Sequence, residues 1–481
     1  MNVPATLTMP GRLRDQLWRH LFPGDGDEHG AVIMVGITAS DQGPRLLARD
    51  LILARDHIDY VAGRRGYRRL RAEFVQEAVI HCRDWGFGYL AVHNHGGTDA
   101  VRFSGDDIAS HERGYPALLD ILAGSPAGAI VVASNAIAGD IWFSAEDRRE
   151  LAETRVLGAR FERLHASPPP RPRVQDARYD RQARLFGDRG QDLLAGAKVG
   201  VIGAGGVGSL VIEQLARLGV GHLVVADTDR IETSNLSRVA GSTKRDAHSW
   251  AAEPNRPDWL QRVGRAVAAP KIRIARRNAR RANSRCRFEG IPGNIIFAHV
   301  ALAFSDCDYL FLAADGAQPR LVFNALVHQY LIPGVQMGVK IVADKDTGEI
   351  LDAFSIVRPV TPDHGCLWCN GLISPARLQQ EAATTEERRE QNYLNEPDVP
   401  APSVITMNAV AASHATNDFM YAFTGLSQPN ASPDYQRFLP RVRSVEDLGT
   451  RADQGCMECG TREGSRLATG DARQLPVRLG Q

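Results

Sequence analysis

The 481-residue chain is short of three things. It has few cysteines, seven in all and an odd number, which argues against a disulfide framework and for cores of ordinary size. It has no apolar run near the roughly 20 residues of a membrane span, and Met1–Phe22 mixes charged with apolar residues, unlike a secretory signal. It has no charge imbalance: 57 Lys and Arg against 56 Asp and Glu give a formal net charge of +1. Composition therefore offers no nucleic-acid or membrane footprint, and a cytoplasmic protein with neither partner is expected. No repeat of 20–50 residues is present. The hydrophobic share of 43% is that of a globular protein.

The Pro- and Arg-rich stretch 166–177 excludes helix interiors and favours extended chain, so it reads as a linker. It divides the chain into 1–165, 166–177 and 178–481. Before it, strands are expected at Ala31–Ile37, Tyr89–Val92 and Ala129–Ala133. A helix is expected over Glu73–Trp85, and a closing helix over Ala145–His165, where charges interleave with leucines and valines. After it, strands (Lys198–Ile202, His222–Ala226, Tyr309–Ala313) alternate with helices (Ser209–Leu218, a basic-faced Lys271–Asn283, and one ending near Tyr330). That rhythm predicts an α/β fold with a mostly parallel sheet covered by helices on both faces. Gln379–Pro402 is polar and charged, a crossover or an exposed helix.

The strand Lys198–Ile202 runs into Gly203-Ala-Gly205-Gly206-Val-Gly208. The glycines permit a tight turn and close backbone approach, and the next helix offers free N–H groups to phosphate. Asp227 ends the following strand and suits ribose hydroxyls. On these features alone a nicotinamide dinucleotide is the favoured ligand. The residues beyond them tip the balance: Asp229, Asn235 and Arg238 follow the second strand, Lys271 opens a helix, and Asp315 ends the strand Leu310–Ala314. A carboxylate at the open edge of a parallel sheet suits Mg²⁺, and Lys and Arg suit a triphosphate. Hydride transfer needs none of them.

Two Cys-x-x-Cys pairs, Cys366/Cys369 and Cys456/Cys459, supply the four thiolates of a structural zinc site joining two segments distant in sequence; a single pair would equally suit redox chemistry. In the first half, His93-Asn-His95 follows an apolar strand, and alternation puts both imidazoles on one face. Such a pair alone also serves structural roles. Ser104 and Asp107 follow, however, and two histidines with a carboxylate leave a fourth zinc position open, as in a catalytic site. Asp106 is a rival ligand that the spacing disfavours.

Residues from about 178 to 460 resemble the ThiF-type adenylyltransferases, which include the ubiquitin-activating enzymes. The resemblance rests on Arg178-Tyr-Asp-Arg181-Gln182, the Gly-x-Gly-Gly-x-Gly turn and the Asp-x-Asp-x-x-x-x-Ser-Asn-Leu-x-Arg run. It implies a Rossmann-like fold with a four-cysteine zinc site, ATP and Mg²⁺ as cofactors, Lys271 on phosphate, Asp315 on Mg²⁺, and Arg181 reaching ATP across a homodimer interface. The substrate it implies is a ubiquitin-like or sulfur-carrier protein ending in glycine, which a conjugating enzyme could then receive. Two departures stand out: about twenty extra residues, Thr243–Arg262, precede the lysine helix, and Val239 replaces the usual glutamine.

Residues 10–160 resemble the JAB/MPN+ (JAMM) metallo-isopeptidases, with His-x-His, a short loop and Ser-x-x-Asp. That resemblance implies an α/β zinc domain. In it Zn²⁺ is bound by His93, His95 and Asp107, Glu28 exchanges protons, and Ser104 donates to an oxyanion. Gly96 stands where many members have proline, and the loop is about one residue longer than usual. The combined expectation is an enzyme of a prokaryotic-type ubiquitin-like modification pathway that adenylates the modifier and also trims or removes it. Activation of a sulfur carrier for thiocarboxylate formation is the alternative; a scaffold with both sites silent is the third reading. No cysteine lies in Gly371–Pro402, where simple thioester-forming members carry one. Of the remaining thiols, Cys82, Cys286 and Cys307, Cys286 lies among arginines that would lower its pKa, yet it is read as structural.

Overall fold

Strand β1 (Ala5–Pro10) pairs in parallel with both β3 (Arg45–Leu53) and β9 (Arg148–Leu157), so the first sheet closes on itself. Its order is β1-β3-β2-β6-β7-β8-β9-β10, with β2 Gly30–Thr38, β6 Gly88–Asn94, β7 Ala127–Val132, β8 Ile137–Trp142 and β10 Phe161–Leu164. A separate hairpin pairs β4 (Tyr60–Val61) with β5 (Arg69–Leu70). The computed structural model describes residues 3–61, 68–172, 176–252, 255–344, 347–382, 402–432 and 434–479. Most of the Gln379–Pro402 crossover and part of the linker lie outside them.

Strand β2 explains how both sheet faces are buried. Ala31, Ile33 and Val35 enter a core with Leu13, Leu17 and Leu21 of helix α1 (Gly11–Leu21). Val32 and Met34 enter a second core with Phe74, Ala78 and Cys82 of α2 (Ala72–Trp85). The 3.6-residue period of α2 and the two-residue period of β2 make these contacts from sequence pattern alone. Helix α3 (Gly105–Leu122) packs beside α2.

The closing helix expected at Ala145–His165 is instead β9 followed by β10. Burial along β9 runs close to alternation, with Leu151, Thr154 and Val156 inward and charged residues between them. Charges interleaved with apolar residues fit that two-residue period as well as a helix, and the β-branched Thr154 and Val156 favour the strand.

The residues up to Arg171 form one compact unit together with His328–Leu331 and Asp453–Gln474. A cut at the linker does not anticipate the last two segments. Arg49, 1% exposed, explains the second: its guanidinium donates to the carbonyls of Thr461, Arg462, Ser465 and Leu467 and to the Ser465 hydroxyl. Asp471 adds bonds to the Thr38 hydroxyl and the Ala39 N–H, each 3.0 Å.

The other unit holds an eight-stranded sheet of order β13-β12-β11-β14-β15-β16-β17-β18. Strands β11 (Lys198–Ile202), β12 (His222–Ala226), β13 (Arg287–Ile291), β14 (Tyr309–Leu312) and β15 (Gly334–Ala343) run parallel. Strands β16 (Ile350–Val360), β17 (Tyr435–Leu439) and β18 (Ser444–Leu448) continue antiparallel, so the sheet is mostly parallel, as expected, with an antiparallel extension at one edge. Its helices are α4 (Asp180–Gly196), α5 (Gly206–Leu218), the short α6 (Ser249–Ala252), α7 (Asp258–Val267), α8 (Lys271–Ala282), the short α9 (Ala298–Ala301), α10 (Ala317–Gln329), α11 (Pro375–Ala382) and α12 (Ile405–Phe423). Among the described residues no helix is long and apolar enough to cross a membrane.

Candidate functional site

The turn after β11 is built for closeness. Gly203 has φ +98°, a region L side chains rarely adopt, and its N–H donates to Ala226 O at 2.8 Å. A Cβ on Gly208 would lie 1.9 Å from Gly203 O, and one on Gly206 would lie 2.5 Å from Asn408 Nδ2. A Cβ on Gly205 would meet no protein atom within 4 Å: there the loop faces open space at the N-terminus of α5. Asp227 braces the turn, accepting from Ala204 N at 2.6 Å and Asp229 N at 2.8 Å. Burial pushes its carboxyl pKa up, although those N–H groups and Lys271 pull the other way.

Gly203, Gly205, Gly206, Asp227 and Asp229 line a cavity of about 540 Å³ together with Asn235, Arg238, Lys271 and Asp315; Gly208 is not among its lining residues. Lys271 Nζ is 2.7 Å from Asp229 Oδ2, and its N–H donates to Asp229 O at 2.9 Å. Burial raises the Asp229 pKa, but Lys271 outweighs it and holds the carboxyl below its usual range. The extra residues before Lys271 include α6 and the start of α7, and they leave the lysine in the cavity. Val239 is buried with Ile231, Ala268 and Ile274. A nucleotide fits this donor set: an open cradle at Gly205, two cations for phosphate, and Asp315 at the sheet edge for Mg²⁺. Arg181 is exposed on α4 and is not among the residues lining the cavity.

Asn408 of α12 went unread in the sequence. It is 2% exposed, donates to Ser403 Oγ at 3.2 Å and lines the cavity. An amide among the apolar residues of an otherwise buried helix face was the available signal.

In the first unit, β6 ends at Asn94. His93 and His95 share one side, while Asn94 turns to the other and accepts from His29 N at 2.6 Å. The two Nε2 atoms are 3.1 Å apart, and each is 3.6 Å from an Asp107 oxygen. Tetrahedral zinc with bonds of about 2.0–2.1 Å would space its ligands by about 3.3–3.4 Å, so the three residues fit zinc. His95 Nδ1 lies 3.1 Å from Arg102 O, a bond that would leave Nε2 for the metal. Ser104 caps α3: its hydroxyl donates to Asp107 Oδ2 at 2.7 Å and accepts from Asp107 N at 3.2 Å. Burial raises the Asp107 pKa, but His93 and Ser104 outweigh it and hold the carboxyl far below the usual range. Asp107, not Asp106, joins the cluster. Glu28 Oε1 lies 3.9 Å from His95 Nε2. Burial pushes the Glu28 pKa up, against the pull of both histidines.

Cys366, Cys369, Cys456 and Cys459 bring their sulfurs within 4.8 Å of one another. The Cys366–Cys369 separation of 3.6 Å is far beyond a disulfide and near the about 3.8 Å edge of a tetrahedron with zinc–sulfur bonds of about 2.3 Å. Cys366 Sγ also accepts from Cys369 N at 3.4 Å, and Cys456 Sγ from Glu458 N at 3.4 Å, as suits thiolates. Cys286 is 4% exposed, and burial lifts its thiol to about 11 despite Arg280, in line with the structural role read from the sequence. Cys82 is lifted by burial to about 12, and Cys307 is fully buried.

The ThiF family pattern matches residues 179–456, more than half of the chain and the whole cavity; the His-x-His region precedes it. The sulfur carrier protein ThiS adenylyltransferase of Bacillus subtilis is 30% identical over 216 residues, covering 42% of this chain and 56% of that protein. The SAMP-activating enzyme E1 of Haloferax volcanii is 30% identical over 175 residues, covering 30% of this chain and 61% of that protein. The chain thus spans little more than half the length of these curated relatives. A solved structure of Escherichia coli MccB with MccA-N7isoASN overlaps 60% of this chain and 75% of that one, at 20% identity and a TM-score of 0.46. With its glycine turn, lysine helix and sheet-edge aspartate inside the matched span, the chain belongs to the ThiF family.

Proposed function

We propose that the second unit adenylates the C-terminal carboxylate of a small carrier protein at the expense of ATP. The carrying observation is that Gly205, Arg238, Lys271 and Asp315 line one cavity. A carboxylate oxygen attacks the α-phosphorus, the bond to the β-phosphate oxygen breaks, and pyrophosphate leaves. Two anions meet in that step, so cations and oriented N–H groups lower its barrier. Lys271, Arg238 and the N-terminus of α5 supply them; Asp315 would hold Mg²⁺, and Arg181 of a second copy would complete the site.

The carrier is a ubiquitin-like or sulfur-carrier protein ending in glycine. Similarity to the sulfur carrier protein adenylyltransferase of B. subtilis favours sulfur transfer, with a thiocarboxylate as the later product, over protein conjugation. In this reading no thioester accumulates on this chain, since Gly371–Pro402 holds no cysteine and Cys286 is buried. The test is exchange of labelled pyrophosphate into ATP by the full chain, given Mg-ATP and a carrier ending in Gly-Gly. No carrier-dependent exchange overturns the reading; mass spectrometry of the carrier after reaction in the presence of a sulfur donor tells a thiocarboxylate from an amide.

The first unit is, in this reading, a zinc hydrolase of JAB/MPN+ type acting at the same terminus. Its support is the convergence of His93, His95 and Asp107 beside Glu28. Zinc held there would supply Lewis acidity to water and a peptide carbonyl. Glu28 takes the water's proton and passes it to the leaving amine, and the Ser104 hydroxyl donates to the oxyanion once its hydrogen turns from Asp107 Oδ2, which holds it at 2.7 Å here. The four-cysteine cluster holds a structural zinc.

A further inference from the structure

Between Lys271 and Arg287 the sequence holds eight basic residues and no acidic one, a local excess hidden by a net charge of +1. The structure sorts them. Lys271 belongs to the cavity, Arg277 pairs with Asp246 at 2.7 Å, and Arg285 lies 3.5 Å from Asp176. The other five, Arg273, Arg276, Arg280, Arg281 and Arg287, are exposed and have no carboxylate partner among the described residues. Arg273, Arg276 and Arg280 follow the i, i+3, i+7 spacing of one face of α8. At 1.5 Å per residue that row is about 10 Å long.

Every apolar residue of α8 that anchors it, Ile272, Ile274, Ala275 and Ala279, is turned inward and buried. The outward face is therefore cationic without an apolar anchor. A folded protein partner docks around a desolvated apolar or aromatic core, which this face does not offer. A phosphodiester chain needs none: it is bound through guanidinium–phosphate contacts and counterion release. The residues are arginines, whose planar forks match phosphate oxygens two at a time. Measured along a duplex axis, the row covers about three base-pair rises of 3.4 Å.

We infer that the outer face of α8, extended by Arg287 of β13, binds the phosphate backbone of a nucleic acid without reading its sequence. This site is separate from the nucleotide cavity and does not depend on the adenylation reading.

The test uses the full chain with a fluorescein-labelled 24-nucleotide RNA hairpin of arbitrary sequence, and a DNA hairpin of the same length. Binding is followed by anisotropy from 50 to 300 mM salt. Wild-type protein should bind both, and affinity should fall steeply with salt. The triple variant Arg273→Gln/Arg276→Gln/Arg280→Gln should bind at least ten-fold more weakly at 100 mM salt. Its log–log salt slope should be shallower by about 2–3, three lost contacts at about 0.7–0.9 each. The Arg→Lys triple should retain the slope, which separates charge from folding. Pyrophosphate exchange should be unchanged in both variants, because none of the three residues lines the cavity. Absence of binding by the wild type at 50 mM salt overturns the inference. So does an unchanged affinity in the glutamine triple. Loss of carrier-dependent exchange in that triple, with no nucleic-acid binding by the wild type, also overturns it and assigns the face to an acidic protein.

Discussion

Gly205 and Gly208 lie three residues apart in one turn, and adding a single methyl to each should fail in different ways. A Cβ on Gly208 would stand 1.9 Å from Gly203 O, whereas real contacts essentially never fall under 3.0 Å. Something must therefore move by about 1.1 Å. The Gly203 carbonyl cannot retreat freely: its own N–H is bonded to Ala226 O, and the next N–H, on Ala204, is held by Asp227 at 2.6 Å. Gly208→Ala should cost about 1–3 kcal/mol of stability, as overpacking does, and shift the phosphate cradle by about 1 Å, a misplacement that costs on the order of 100-fold in rate. Gly205 is the opposite case. Its backbone, φ −76° and ψ −151°, suits an L residue, and its Cβ meets no protein atom. Gly205→Ala should leave stability within about 0.5 kcal/mol but put a methyl where the phosphates lie. Urea unfolding and nucleotide titration by calorimetry, run on both variants, separate the two effects. If Gly205→Ala bound Mg-ATP as tightly as the wild type, the cradle would lie elsewhere and the placement of the nucleotide would be wrong.

Cys366→Ser should release one of two zinc ions per chain, counted by elemental mass spectrometry, and lower thermal stability because metal binding is coupled to folding; retention of both ions refutes the four-cysteine assignment. Glu28→Gln should keep zinc in the first unit yet lose cleavage of a carrier extended beyond Gly-Gly, whereas Asp107→Ala should lose that zinc. Asp140 is pushed up by burial but more strongly held down by His111, Arg148 and Trp142, to about 2. A depressed carboxyl stabilises the fold above its unfolded value of about 3.9 and loses that contribution as pH falls through about 2. Asp140→Asn should therefore flatten the acid limb of the stability profile between roughly pH 4 and pH 2, and an unchanged limb counts against the network.

The glycine turn was legible because several constraints coincide within a few residues: a strand, a turn without side chains, and polar groups just beyond the next strand. Lys271 was named from the sequence although the preceding insertion loosened its alignment, and the fold puts it against Asp229. Asn408 was not legible, because its role depends on α12 crossing behind a turn some two hundred residues earlier in the sequence. The same holds for 453–474, whose partner Arg49 lies four hundred residues away; a buried arginine is invisible in a composition that only counts it. Cys286 was rightly read as structural despite the arginines beside it in sequence: the sulfur turns inward, so burial decides its pKa. The helix misread over β9 came from period: ten residues of mixed charge and leucine fit either template until neighbouring strands select one.

In both candidate sites a carboxylate is fixed by backbone N–H groups before any ligand arrives. Asp227 accepts from Ala204 and Asp229, tying the glycine turn to the end of β12. Asp107 accepts from the N–H and hydroxyl of Ser104, which locks the first turn of α3. In each case the anion's desolvation cost is offset by the protein's own donors, so little reorganisation is left for binding. The two arrangements differ in what they leave exposed. Asp227 spends one bond on each of its oxygens to hold a loop, which makes it a brace for the cradle as much as a partner for ribose. Asp107 concentrates its hydrogen bonds on one oxygen, Oδ2, and its two oxygens lie 3.6 Å from His93 and His95, an arrangement that fits the proposed zinc ligand. The same residue type thus reads as scaffold in one site and as ligand in the other, by how its lone pairs are distributed.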